Sequence, residues 1–174
     1  MSKIRIKGKK KLNKAITKEV APFGISSATL SDEYAYYYTD ESVTFKLTQS
    51  IEDEWFNEFI KERFGYECEY SFVLSLLHEI GHHKANNEID GAILDFCNAE
   101  KERIDSEMIL ADADRSKALE WQYFNLPDEI MATQWAVNYA KKHPRKIKKM
   151  WERMKADIME FYLANGLEDN TEEL

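Results

Sequence analysis

Three side chains in the stretch LSLLHEIGHHKA, residues 74–85, have types and spacing that could do chemistry: His78, Glu79 and His82. Positions four apart on an α-helix differ by only about 40° around its axis, so His78 and His82 can offer two imidazoles to one metal ion from consecutive turns. Glu79 is rotated about 100° from His78 and flanks such an ion rather than ligating it. A carboxylate there can accept a proton from an activated water. The H-E-x-x-H pattern thus supplies two ligands and a general base for metal-assisted hydrolysis. The bland alternative is a helix end that carries exposed histidines. Gly81 favours the metal reading, because a small residue beside the pair lets a backbone or substrate approach. His83 is turned about 100° from His82 and points away from the same ion.

A catalytic zinc ion needs a third protein ligand and an open position. No third histidine follows at metal spacing in HEIGHHKANNE, and His143 is the only later one. A carboxylate is the natural substitute. Glu129, in PDEIMATQWA, is the best placed, in the first turn of an expected helix. Ala132 and Ala136 follow on or near its face and are small enough for two helices to pack closely. Its ordinary reading is an acid that favours a helix N-terminus. Glu107, in SEMILADAD, is the runner-up for the ligand, with Asp128, Asp112 and His143 behind it.

These residues need elements to position them. KIRI near the start reads as a short strand and KKLNKAITKEV as a helix that stops before Pro22 and Gly24. YAYYYT and SVTFKLT flank Asp40-Glu41; the second alternates apolar Val43, Phe45 and Leu47 with polar residues, so the pair reads as a hairpin over 34–48. Trp55, Phe56, Phe59 and Ile60 form a helical stripe that runs to Gly65. Ser71 opens the next helix, whose Phe72, Val73, Leu74, Leu76, Leu77 and Ile80 make it apolar on nearly every side, as a central buried helix requires. Residues 88–124 have helical composition broken once or twice. Pro127 falls in the first turn of a helix that ends at His143, and a last helix runs from Pro144 to Gly166. The outline is α+β: a small N-terminal sheet, then helices, in a single domain over 1–174.

At 174 residues, with 44% apolar and 13% aromatic residues, the chain can bury a core. Its formal charge of −8 argues against general affinity for nucleic acid or an anionic membrane. The basic arm 1–14 is the exception and allows weak nucleic-acid contact; an acidic tail, 167–174, lies at the other end. No apolar run reaches the ~20 residues of a membrane span, and no apolar stretch follows the basic start as in a secretory signal. Cys68 and Cys97 are far apart and not in a metal-type pair, which fits a reducing, cytoplasmic setting. Cys97 reads as a buried apolar thiol and PRKIKKMWERMK as a solvated basic face beside the Met and Trp stripe.

The helix carrying His78, Glu79 and His82, followed by E-x-x-A-x-x-[aromatic]-A at Glu129, Ala132, Trp135 and Ala136, resembles the gluzincin-type zinc metallopeptidases. Within them it is most similar to the ImmA/IrrE-like branch found on phages and mobile elements. The resemblance covers about residues 70–141. It implies a zincin-like fold in which a small sheet lies over the active-site helix and its edge strand holds an extended peptide. It further implies Zn²⁺ on His78, His82 and Glu129, Glu79 as general base, and hydrolysis of a protein or peptide substrate, often a transcriptional repressor. The chain departs from the pattern in the long segment 84–124 and in Thr133, where many gluzincins carry an acid that orients a zinc histidine. Tyr123, Tyr139 and His143 are the candidates for stabilising an oxyanion. The rival readings are a catalytically inactive zinc-binding adaptor of phage origin, and DNA-associated proteolysis directed by the basic arm, which the charge of −8 disfavours.

Overall fold

The computed structural model describes residues 7–47, 51–85 and 88–166, the side chains of 51–55 excepted. The KIRI segment, Lys3 and Arg5 of the basic arm, residue 48 of the expected hairpin, the Trp55 side chain and the acidic tail 167–174 lie outside the described residues. The fold is α+β, with seven α-helices and one three-stranded sheet among those residues. None of these helices is long and apolar enough to cross a membrane.

Helix α1 (Lys9–Val20) buries Leu12, Ile16 and Val20, one residue per turn, and turns its lysines outward. A 3₁₀ turn, Ala21–Phe23, leads to Gly24 at φ 97°, a left-handed conformation in which a Cβ would lie 2.7 Å from His83 Nε2. Glycine is needed there for both reasons. Strands β1 (Ser27–Leu30), β2 (Ala35–Tyr37) and β3 (Ser42–Phe45) follow. They form a sheet ordered β1-β3-β2, with β1 parallel and β2 antiparallel to the central β3. The β2–β3 hairpin is the one expected, though shorter; Glu41 takes φ 54° in its turn. The outer edge of β1 is closed by α1: Ala28 N–H donates to Thr17 Oγ1 and Leu30 N–H to Asn13 Oδ1, both at 2.9 Å.

Helices α2 (Ile51–Phe64) and α3 (Ser71–Ala85) match the expected spans. Phe56, Phe59 and Ile60 of α2 are buried, and α3 is buried almost all round, as a helix at the centre of a core must be. Segment 88–124 breaks once, into α4 (Gly91–Met108) and α5 (Ala113–Phe124), with Asp90 and Asp112 as their N-caps. This helical hairpin has its own small core of Cys97, Ile104 and Leu119, shared with Leu126. Helix α6 (Pro127–Lys142) carries Pro127 in its first turn, and α7 (Pro144–Asn165) ends at Gly166 in the left-handed conformation. The methionine and aromatic stripe of α7 (Ile147, Met150, Trp151, Met154, Ile158) is core, as expected.

The most extensive contact in the molecule joins α3 to α6. A Cβ added to Gly81 would lie 2.3 Å from the Ala132 carbonyl oxygen and 2.8 Å from its Cα. Ala132 and Ala136 are fully buried on the facing side. Gly81→Ala should therefore destabilise the protein by about 3 kcal/mol or more, because two backbones rather than flexible side chains must separate. Gly91→Ala, where a Cβ meets nothing within 4 Å, should be neutral or slightly stabilising. Urea denaturation of the two variants checks this; equal midpoints would refute the close-approach account.

Candidate metal centre

Helices α3 and α6 bring His78, His82 and Glu129 to one point. His78 Nε2 lies 3.0 Å from Glu129 Oε2 and 3.2 Å from His82 Nε2, and His82 Nε2 lies 3.5 Å from the same carboxylate oxygen. All three residues are buried. In a tetrahedral zinc site with bonds near 2.0–2.1 Å, neighbouring donor atoms are about 3.3 Å apart. The three contacts bracket that edge length. Two imidazole nitrogens and a carboxylate oxygen are also poor partners for one another, since protons cannot satisfy all three contacts at once. The group could hold a metal ion.

The surroundings orient these donors. His78 Nδ1 lies 3.0 Å from Thr133 Oγ1. With Nδ1–H donating to the hydroxyl, Nε2 presents its lone pair to the donor cluster. Thr133 is fully buried. Phe56 stands edge-on to the His78 ring at 5.0 Å. Burial opposes ionisation of Glu129, but His82 and His78 outweigh it and hold its pKa well below the ordinary value. Glu79 is buried beside the cluster. Desolvation pushes its carboxyl up to about 7; Glu129 adds to the rise, while His78 and Lys101 oppose it. A carboxyl poised near neutrality suits proton transfer.

The cluster forms the floor of a cleft of about 490 Å³. One wall is β2 and its turn, with Ala35, Tyr36 and Tyr38; the other is the α4–α5 hairpin, with Lys101, Asp105 and Tyr123. The long segment 84–124 is thus a wall of the site. Lys101 forms ion pairs with Asp128 and with Glu129 Oε1, and its ammonium lies 5.2 Å from the Tyr123 ring. Desolvation works against the Lys101 charge, but Glu129, Tyr123 and Asp128 together hold its pKa above the usual lysine range. Desolvation pushes Tyr38 up to about 12. It raises Tyr123 as well.

Of the residues singled out from the sequence, His78, Glu79, His82 and Glu129 converge, and Tyr123 joins them in the cleft wall. The runner-up ligand Glu107 does not: it is ion-paired with Arg103 and Arg115 on the surface of the α4–α5 hairpin. Asp112 is occupied as the α5 cap. Asp128 adjoins the cluster through Lys101, with one buried oxygen left without a partner. His143 and Tyr139 pack against each other with rings tilted by 52° at the α6–α7 corner, and Tyr139 also packs on Trp135 and Phe23. His83 hydrogen-bonds Tyr36 OH at 2.8 Å through Nδ1, tying α3 to β2. Sequence reasoning missed Lys101 and Tyr38. Only the heptad-like placement of Lys101 between Cys97 and Ile104, four and three residues away, hinted that it borders a buried face.

Comparison with protein-family models, with curated proteins and with solved structures returns no match.

The raised pKa of Glu79 makes a signed prediction for the metal-free protein. The folded state holds the Glu79 proton more tightly than the unfolded state between pH 4.5 and about 7. Its contribution is therefore full below pH 4.5 and is lost as pH rises through 7. Relative to Glu79→Gln, metal-free wild type should lose on the order of 3 kcal/mol between pH 4.5 and 8. Urea denaturation of both proteins across that range reads the difference directly. Parallel stability curves would show that Glu79 titrates normally.

Proposed function

We propose that the protein is a zinc-dependent peptidase with a zincin-like core that hydrolyses peptide bonds in an extended segment of a protein substrate, a transcriptional repressor or similar regulator being the class that the gluzincin-like motifs suggest. The observation that carries this reading is the convergence of His78, His82 and Glu129 with a buried carboxyl, Glu79, immediately beside them. The donor set, two imidazoles and one carboxylate, suits zinc and leaves room for a fourth ligand. When bound, zinc would supply Lewis acidity, making a water more acidic and polarising a carbonyl.

The chain's own residues divide the remaining work. Glu79 accepts the proton of the attacking water and returns it to the leaving amine; its elevated pKa suits both transfers. Thr133 holds the His78 ring through Nδ1. Tyr123 and Tyr38 reach the cleft as phenols, and both remain protonated donors at neutral pH. Strand β2 ends the sheet on the cleft side, whereas the far edge of β1 is closed by α1. An extended peptide can therefore add to β2 by main-chain pairing, next to the metal cluster and Glu79.

Two variants test this. Protein purified without added zinc should carry about one zinc per chain by mass spectrometry, and Glu129→Ala should be depleted. Glu79→Gln should keep the metal and lose about 10²–10⁴-fold in hydrolysis of a peptide library. Full activity in Glu79→Gln would remove it as the general base. Zinc without cleavage of any peptide by wild type would leave a metal-binding interaction protein.

A further inference from the structure

The two oxygens of the Glu129 carboxylate have different partners. Oε2 faces the imidazoles, at 3.0 Å from His78 Nε2 and 3.5 Å from His82 Nε2. Oε1 is ion-paired with Lys101 Nζ. The Lys101 ammonium is itself held in place: it also pairs with Asp128 Oδ2 and lies over the Tyr123 ring, and its side chain is 20% exposed. Glu129, at 2% exposure, has almost no water to compete for either oxygen.

We propose that Lys101 is a positioning residue that keeps Glu129 a one-oxygen ligand and so keeps a coordination position open for the reacting groups. The inference rests on the peptidase reading above. A carboxylate with both oxygens free can grip one cation through both. Beside two imidazoles, the second oxygen would take up a position that a hydrolytic site must leave for water and substrate. A charge-assisted bond from an ammonium is strong enough to hold one oxygen back, and in a buried site it is not screened. The lysine comes from α4, within the long segment between the histidine pair and Glu129. That segment therefore contributes a residue to the chemistry of the site as well as a wall to its cleft.

This role has a signature opposite to that of mere structural support. Losing an ordinary supporting contact around a metal site weakens metal binding about 10–100-fold. Losing Lys101 removes a positive charge from beside the ion and frees a second donor oxygen, so the metal should bind at least as tightly while the site closes to added ligands.

The full-length chain can be loaded with cobalt(II), whose visible spectrum reports coordination number, and titrated with acetohydroxamate as an external ligand. Wild type, Lys101→Met and the double variant Lys101→Met, Asp128→Asn should be compared, with far-ultraviolet circular dichroism as the check on folding. The double variant leaves no bare acid at position 128 and guards against unfolding of the single one. Both variants should retain cobalt with undiminished affinity, show visible bands about twofold weaker than wild type, and bind acetohydroxamate at least about tenfold more weakly. A folded double variant with wild-type bands and wild-type hydroxamate affinity would overturn the Lys101 role alone. So would a double variant that loses cobalt affinity. Wild type that takes up no cobalt would overturn the metal reading and, with it, this inference.

Discussion

The backbones of Gly81 and Ala132 approach so closely that no side chain fits between them, and the candidate site depends on that approach. Glycine on α3 and fully buried alanines on α6 remove the usual spacer between two helices. At that separation, residues one turn apart on α6 reach a single ring on α3 from both sides. Glu129 meets His78 at Nε2 and Thr133 meets it at Nδ1. The imidazole is held between them, with Phe56 against its edge. The same approach of α3 and α6 thus sets both the donor triangle and the helix packing.

The charges of the buried cluster lead to a cation independently of the donor distances. Glu79, Asp128 and Glu129 are all buried, and among the described residues Lys101 is the only lysine ion-paired with any of them. Three acids against one ammonium leave two negative charges for protons or a bound cation to offset, in a setting where each uncompensated charge costs several kcal/mol. A divalent cation would supply the missing charge. Without one, the cluster must hold protons instead, and the elevated Glu79 pKa is the form that takes. The unpartnered Asp128 oxygen is a further sign that this region carries more acceptor capacity than the protein's own donors can satisfy.

Much of this was legible in the sequence because local rules decide it. The helical spans, the early β2–β3 hairpin, Pro127 and Pro144 at helix starts, and Gly166 at a helix end follow from periodicity and backbone chemistry near in the chain. The small residues at 81, 132 and 136 gave the α3–α6 contact, and with it the preference for Glu129, whereas Glu107 looked similar by composition and is spent on Arg103 and Arg115. What escaped is non-local. Strand β1, Ser-Ala-Thr-Leu, alternates over only four residues with one large apolar side chain, and it is held because β3 pairs with one edge and Thr17 and Asn13 with the other. Lys101 looks like any cation in a charged helix. Its contact with Glu129 depends on how the α4–α5 hairpin seats on α6, which no spacing in the chain announces.

The two walls of the cleft differ in kind, and that difference bears on what the proposed peptidase can bind. The β2 wall offers main-chain donors and acceptors, which accept any extended sequence, and it is anchored to the metal helix through Tyr36 and His83. The opposing α4–α5 wall offers side chains: Lys101 committed to Asp128 and Glu129, the Tyr123 ring, and Asp105. In the proposed peptidase, backbone pairing on one side would fix where a peptide lies, and side chains on the other would select which peptide lies there. Asp32 and Glu33 stand on the loop leading into β2, with Asp105 across from them, so the rim is acidic on both sides. In the proposed peptidase such a rim would favour a substrate segment with basic residues flanking its extended part, with Lys46 the one cation on the sheet side of the lining among the described residues. That wall belongs to the segment between the histidine pair and Glu129, and through Lys101 it is tied to Glu129 itself, so in the proposed peptidase a change of specificity there would have to spare Lys101.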